Sequence, residues 1–115
     1  MEKSKSQKNL KKIIVMIPAY NEEANIGKVI KEIPRKINDS GVVKILVLDD
    51  GSTDKTVEVA KKAGADYVES NTKNSGLAFT FQKAMNRALE LGADIIVNTD
   101  ADFQYNQTQI IDLVK

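Results

Sequence analysis

Residues 42–54 read VVKILVLDDGSTD, and this stretch decides the fold. Val42 to Leu48 form a predominantly apolar run rich in β-branched residues, which is typical of a strand buried on both faces of a parallel sheet. The polar residues that follow suit a turn, and Ser52 or Asp54 can cap a helix that begins there. The segment therefore predicts a strand that leads directly into a helix.

The same alternation extends to both sides of this segment. The predicted elements are, in chain order, a strand at 13–17, a helix from Glu23 to about Ile37 that Pro34 kinks or ends, the strand at 42–48, a helix ending at Gly64, a short strand at 66–69, a helix stopped by Gly92, a strand at 95–97 and the start of a helix at 107–115. Alternating strands and helices with such short connections favour an α/β fold, a parallel sheet flanked by helices.

The helix before Gly92 is expected to bury one side. Its predicted inward residues are Leu77, Phe81, Ala84, Met85 and Ala88. Phe79 and Phe81 are predicted to be core residues and not a platform for a ligand. In the last segment, Ile110, Ile111 and Val114 are expected to face inward.

Composition excludes several classes of function. The 115 residues contain no cysteine and no histidine, which removes disulfides, the usual zinc sites, thiol chemistry and Ser-His-Asp triads. Seventeen basic and sixteen acidic residues leave a net charge of +1, so we expect no nucleic-acid partner. Residues 1–12 are predicted to be a basic flexible arm and 13–115 the folded domain. Without an apolar span or signal peptide, a cytoplasmic location is expected.

Acidic residues follow three of the predicted strands. These segments are 18–23 after the first strand, 49–52 after the second and 98–102 after the fourth. Ligands of open parallel sheets bind at the carboxyl ends of the strands, so the three segments are expected to meet. Several carboxylates in one place need a positive partner, and oxygen ligands alone indicate Mg²⁺ or Mn²⁺. Each cluster taken alone is also common turn and cap chemistry.

Individual residues near these ends remain open to two interpretations. Asp100 and Asp102 lie on either side of Ala101, so both can face one ion, and Gln104 can add a neutral oxygen. The Asn74-Ser75-Gly76 segment is either a loop with a helix cap or a close backbone approach to a ligand. Tyr20 either packs locally or stacks on a base.

Four motifs in series carry a resemblance. They are Ile17-Pro18-Ala19-Tyr20-Asn21-Glu22-Glu23, Val47-Leu48-Asp49-Asp50-Gly51-Ser52-Thr53-Asp54, Asn74-Ser75-Gly76-Leu77-Ala78 and Asp100-Ala101-Asp102-Phe103-Gln104. In this order they resemble the family 2 glycosyltransferases, and among these the dolichyl-phosphate mannose synthases and polyprenyl-phosphate glycosyltransferases. The resemblance runs from about Ile13 to the last residue.

The resemblance implies a Rossmann-like GT-A fold and a GDP- or UDP-sugar donor that is bound with Mg²⁺ or Mn²⁺. It implies that Pro18, Tyr20 and Glu22 border the nucleoside, that Asp49 and Asp50 hold base and ribose, and that Asp100, Asp102 and Gln104 form the metal and diphosphate site. The predicted substrate-binding set also includes Ala19, Leu48, Gly76 and Ala101, and Asp102 is the predicted catalytic residue.

The acceptor is implied less specifically. The resemblance suggests a polyprenyl or dolichyl phosphate at the cytoplasmic face of a membrane, but Tyr105-Asn106 stands where mannose synthases often carry His-Pro or Pro-Pro. Such enzymes place the acceptor site and usually the base after Asp-x-Asp. We therefore expect this chain to bind donor and metal without transferring sugar, and to self-associate through an uncovered apolar face.

Three other α/β classes fit less well. A magnesium-binding receiver domain, the alternative that remains open, carries its acidic pair after the first strand, whereas here the pair follows the second. A dinucleotide-binding module needs Gly-x-Gly-x-x-Gly after the first strand, and that motif is missing. A nucleotidyltransferase usually has a glycine-rich loop with basic residues after the first strand, and this sequence lacks such a loop there.

Overall fold

The computed structural model describes residues 10–37 and 41–101. The strands are β1 Lys11–Ala19, β2 Lys36–Ile37, β3 Gly41–Asp49, β4 Tyr67–Ser70 and β5 Ile95–Asn98, and the helices are α1 Ile26–Glu32, α2 Thr56–Ala63 and α3 Leu77–Glu90. β1 starts at Lys11 and so includes the last two residues of the predicted arm. Residues 1–9, Asp102, Gln104 and the predicted helix at 107–115 lie outside the described residues, so the predictions made for them remain predictions.

Parallel pairing places the important strand ends at one edge of the sheet. β1 pairs with β3 from Lys11↔Gly41 to Ala19↔Asp49, and β5 pairs with the other side of β1. β4 lies parallel to the second half of β3, and the short β2 is antiparallel to its start. The predicted parallel sheet is confirmed, with β2 as an unpredicted addition. The chain leaves β1, β3 and β5 on the same side of the sheet.

Strand alternation divides the core into two layers. Odd-numbered residues such as Val15 and Ile45 belong to a cluster with residues of α1 and α2. Even-numbered residues such as Met16 and Leu46 pack with α3. All four side chains are fully buried. Burial of each large aliphatic side chain contributes roughly 1.5–3 kcal/mol, so the two-sided burial of β1 and β3 explains their nearly continuous apolar sequence.

Small side chains form the buried stripe of α3. Thr80, Ala84 and Ala88, spaced four apart, have no exposed surface. The prediction that Leu77, Phe79 and Phe81 are core residues is wrong, since they are 74%, 55% and 38% exposed. Both phenylalanines adjoin Thr80 in sequence and point about 100° away from it around the helix. Leu77 lies in the first turn, at the edge of the sheet where the strands end.

The first helix is shorter than predicted. α1 ends at Glu32, and Ile33 has extended dihedral angles of φ −76° and ψ 123°. Pro34 disfavours helical geometry in the residue before it, which accounts for this end. The chain then pairs Lys36 with Val42 in an antiparallel ladder, in the region predicted as the last turn of the helix.

Gly51 allows the turn after β3 to touch the loop before α3. Its φ is +75°, and a Cβ atom built on it would lie 2.5 Å from the carbonyl carbon of Lys73 and 2.6 Å from the nitrogen of Asn74. Both atoms belong to the backbone and cannot move aside as a flexible side chain can. A glycine is therefore required on both conformational and steric grounds.

We predict that Gly51→Ala lowers the free energy of unfolding by roughly 2–4 kcal/mol, because the cost of the left-handed conformation and the cost of the overpacked contact add together. Urea unfolding measures the change. Gly92→Ala is the matched control, since Gly92 has φ +85° but nothing within 4 Å of its Cβ position. It should lose only about 1 kcal/mol. Equal losses in the two variants would contradict the steric argument.

Candidate functional site

A cleft of about 550 Å³ opens where β1, β3 and β5 end. Its walls come from the residues that follow these strands, from the loop before α3 and from the first turn of α3. The lining residues are Pro18, Ala19, Tyr20, Glu22, Asp50, Asn74, Gly76, Leu77, Thr80, Asp100 and Ala101. The three acidic segments predicted to converge therefore do contribute to one cleft.

Two of the predicted contact residues lie elsewhere. Leu48 is fully buried in the core layer beneath α3, and Asp49 is 2% exposed. Neither side chain lines the cleft, because Leu48 faces the packed interior and Asp49 belongs to the opposite face of the strand. Asp102 and Gln104 lie outside the described residues. Leu77 and Thr80 line the cleft without having been predicted to do so, and Asn74, from the segment with two open interpretations, lines it as well.

The described lining is acidic. Glu22, Asp50 and Asp100 contribute carboxylates, and no lysine or arginine occurs among the lining residues that the structure describes. The described part of the chain contains no group of three or more His, Cys, Asp or Glu side chains arranged to hold a metal ion. A metal ion here would therefore be bound by fewer than three of these described side chains together with other oxygen ligands, from residues outside the described ranges, a ligand or water. In the predicted set, Asp100 belongs to the described residues, and Asp102 and Gln104 lie beyond residue 101.

The Asp50 carboxylate accepts four hydrogen bonds from one loop. Oδ1 accepts from Asn71 Nδ2 at 2.9 Å and from the Ser75 backbone N–H at 2.8 Å. Oδ2 accepts from Asn74 Nδ2 at 3.2 Å and from the Gly76 backbone N–H at 3.0 Å. Asp50 thus ties the loop 71–76 to the end of β3. The backbone N–H groups of Ser75 and Gly76 are directed at Asp50, and the predicted approach to a ligand stays a prediction.

These bonds set the acidity of Asp50. Burial by itself raises the pKa of the carboxyl group, but the hydrogen bonds from Ser75, Asn71, Thr80 and Gly76 outweigh it, and the pKa lies below its ordinary value of 3.8. Donors directed at the ionised form stabilise that form. The residue is therefore an anion at neutral pH although it is 5% exposed.

Asp49 has a different environment despite its adjacent position. Its Oδ2 accepts only the Ser52 backbone N–H, at 3.1 Å, among the hydrogen bonds of the described residues. Its Oδ1 is buried and has no partner within that part of the chain. The two aspartates of the motif are thus not equivalent, and Asp50 is the one built into the cleft wall.

The loops that follow β1 and β3 are joined by reciprocal bonds. Asn21 has a positive φ of 53°. Its backbone N–H donates to Ser52 Oγ, and its Oδ1 accepts from the Thr53 N–H, each at 2.8 Å. Asp54 accepts from the Thr56 N–H at 2.9 Å just before α2, but the N-cap position is occupied by Lys55, so neither Ser52 nor Asp54 is the N-cap residue that was predicted. This bonding orients the segment that carries Tyr20 and Glu22 into the cleft.

A second cleft adjoins the first. It measures about 660 Å³ and is lined by Pro18, Leu77, Ala78, Phe81, Gln82, Asn98 and Asp100. Pro18, Leu77 and Asp100 belong to both clefts, so Asp100 lies at their boundary. The second cleft is the more apolar, and the exposed Leu77 and Phe81 form part of it.

No helix in the described residues is both long and apolar enough to cross a membrane.

Comparisons with known proteins give a consistent result. The family model described as Glycosyl transferase family 2 matches residues 14–115. The UDP-N-acetylglucosamine–dolichyl-phosphate N-acetylglucosaminyltransferase of Methanococcus voltae is 30% identical, over 91% of this chain and 47% of that protein. The chain spans less than half of the curated relatives it matches, 46% and 45% in two further cases.

Solved structures share the fold. Glucosyl-3-phosphoglycerate synthase from Mycobacterium tuberculosis, in complex with Mn²⁺, UDP and glucosyl-3-phosphoglycerate, matches with a TM-score of 0.67 and 31% identity, over 85% of this chain and 36% of that one. A mannosyltransferase from Pyrobaculum calidifontis in complex with GDP-Man and Mn²⁺ matches with a TM-score of 0.68 and 25% identity, over 91% and 32%. The predicted GT-A fold is confirmed.

We predict that Asp50→Asn lowers the free energy of unfolding by roughly 2–4 kcal/mol. The four donors bind the two carboxylate oxygens of Asp50, and the asparagine amide offers only one oxygen, so some of the donors lose their acceptor. Asp49→Asn is the matched control and should change it by less than about 1 kcal/mol, since Asp49 satisfies one described donor. Urea unfolding of both variants measures the difference. A larger loss in Asp49→Asn would contradict the assignment of Asp50 as the loop-holding aspartate.

The Asp50→Asn variant also tests how the free energy of unfolding depends on pH. A lowered pKa in the folded state means that the unfolded chain binds protons more readily, so ionised Asp50 contributes stability well above pH 3.8. This contribution is lost as the pH falls through the lowered folded-state pKa. Asp50→Asn should therefore show a shallower loss of stability on acidification than the parent. An identical acid profile would be the contradicting result.

Proposed function

This chain belongs to glycosyl transferase family 2, and we propose that it binds the nucleoside diphosphate sugar and the divalent cation of a sugar-transfer reaction. The observation that carries the proposal is the cleft at the ends of β1, β3 and β5, with three carboxylates and no basic side chain in its described lining. Because the chain spans less than half of its relatives, the proposal concerns donor binding first.

The acidic lining supports a requirement for metal. A diphosphate brings negative charge into a cleft that already contains Glu22, Asp50 and Asp100, and like charges within a few ångströms repel. Mg²⁺ and Mn²⁺ bind carboxylates and substrate phosphates together, which removes the repulsion. The solved relatives contain Mn²⁺ together with UDP or GDP-Man.

Asp100, Asp102 and Gln104 are the residues we assign to the cation. Asp100 adjoins Ala101, whose side chain is buried, so the backbone at this point is packed against the core. When bound, the cation supplies positive charge that stabilises the departing diphosphate. Asp100 also borders both clefts, which is the position expected between donor and acceptor.

The nucleoside is assigned to the part of the cleft next to β1. Tyr20 is 45% exposed and lines the cleft beside Pro18, so its ring has an accessible surface on which a base can stack. Glu22 offers a carboxylate to ribose or base. The four lone-pair positions of Asp50 accept protein donors, so we assign Asp50 to shaping the wall through Asn74 and Gly76.

The acceptor is assigned to the second cleft. Leu77 and Phe81 give it an apolar wall that suits a lipid-bearing acceptor, and the M. voltae relative is named for dolichyl phosphate. We therefore propose a polyprenyl or dolichyl phosphate for the whole enzyme. A whole-length protein that transfers labelled sugar to a soluble alcohol but not to polyprenyl phosphate would contradict this.

The alternative function, a magnesium-binding receiver domain, has no support in the matches to the family model and to the relatives described above.

We predict that nucleoside diphosphate binding depends on Mn²⁺ or Mg²⁺, and that Asp100→Asn and Asp102→Asn each weaken it on the order of tenfold or more. A thermal-shift panel of UDP, GDP, CDP and dTDP, with and without Mn²⁺, identifies the nucleotide, and calorimetry measures the affinities. Glu58→Gln is the control, because Glu58 is an exposed acid on α2. Binding that is unchanged in excess chelator would contradict the proposal.

A further inference from the structure

A lysine outside the cleft is connected to its wall through buried polar groups. Lys83 lies on α3, seven residues after Gly76, and its Nζ donates to Asn71 Oδ1 at 2.8 Å. It is absent from the described lining of the cleft. Asn71 is 8% exposed, so the bond ends in the interior. The contact therefore joins a half-buried cation to a polar cluster beneath the loop 71–76.

Lys83 and Asp50 hold the Asn71 amide in one orientation from opposite sides. An ammonium group only donates, so the amide oxygen must face Lys83 and the NH₂ group must face the other way. That NH₂ group donates to Asp50 Oδ1 at 2.9 Å and to Thr80 Oγ1 at 3.0 Å. In the flipped amide, NH₂ would face the ammonium group and oxygen would face the carboxylate. Both contacts would then be repulsive.

The orientation of Asn71 matters because Asp50 holds the wall of the cleft. The same carboxylate accepts the N–H groups of Ser75 and Gly76 and the amide of Asn74. Asn74 and Gly76 line the cleft. Without a fixed Asn71, Asp50 loses one of its two Oδ1 donors in a site where an unmade bond is costly.

We propose that Lys83 is a positioning residue for nucleoside diphosphate binding, acting through Asn71 and Asp50 on the cleft wall at Asn74 and Gly76. The inference rests on the proposed function of this cleft. Lys83 needs no contact with the ligand, because the series of hydrogen bonds reaches the lining residues. Its contribution is to hold the oxygen side of the Asn71 amide, while Asp50 holds the NH₂ side.

The variants Lys83→Met and Lys83→Arg test this with the 115-residue chain, Mn²⁺ and the nucleoside diphosphate selected by the thermal-shift panel. Lys83→Met removes the donor and should weaken binding roughly fivefold to tenfold, whereas Lys83→Arg keeps a cationic donor and should restore most of the affinity. Lys62→Met is the control for lost charge, because Lys62 is exposed on α2. The loss in Lys83→Met should persist at high salt, which screens a through-space effect.

Two readouts separate positioning from general destabilisation. The amide resonances of Ser75 and Gly76 should shift in Lys83→Met, while that of Gly92, which donates to Leu89 O at 3.0 Å, stays unchanged. In a double-mutant cycle with Asn71→Ala, the two losses of affinity should not add, because both act on one bond.

The outcomes distinguish this inference from the function on which it rests. If the parent binds nucleotide and Lys83→Met binds it equally well, or if the Ser75 and Gly76 amides do not shift, Lys83 is not a positioning residue. If the parent binds no nucleoside diphosphate with Mn²⁺, the proposed function itself fails and the inference fails with it. Additive losses in the cycle would also overturn the route through Asn71.

Discussion

The arrangement of the cleft depends on a single carboxylate that accepts four hydrogen bonds. Asp50 follows the central strand β3 directly, and these four donors come from the loop 71–76. This loop has no sheet or helix of its own to accept hydrogen bonds from its backbone N–H groups. The ionised and nearly buried carboxylate of Asp50 accepts these bonds instead, and bonds to an ionised acceptor are strong. Gly51 completes the junction by leaving room for the backbone of Lys73 and Asn74.

A consecutive pair of aspartates carries out two different tasks here. Strand geometry turns adjacent side chains to opposite faces, so Asp49 points toward the side of α1 and α2 while Asp50 points toward α3. The neighbouring loop bonds, between Asn21 and Ser52 or Thr53, show that the motif after β3 also organises the motif after β1. Part of the sequence signature therefore builds the walls of the cleft.

The sequence predicted the sheet well, because β1 and β3 are buried on both faces and such strands have an unmistakably apolar composition. It also predicted which strand ends meet, because parallel strands share their carboxyl edge. It failed for Phe79 and Phe81, since apolar character alone does not show that the close-packed side of a helix consists of Thr80, Ala84 and Ala88. It could not identify Asn71 either, because the contact with Asp50 joins residues 21 positions apart through side chains.

The stripe of small residues on α3 has a consequence for the shape of both clefts. A helix of 14 residues is about 21 Å long, and its first turn forms part of both clefts. Ala88 has no exposed surface, so a larger side chain there needs a shift of the helix relative to the sheet. The width of both clefts therefore depends in part on how closely Ala84 and Ala88 pack against the sheet, although neither residue lines either cleft.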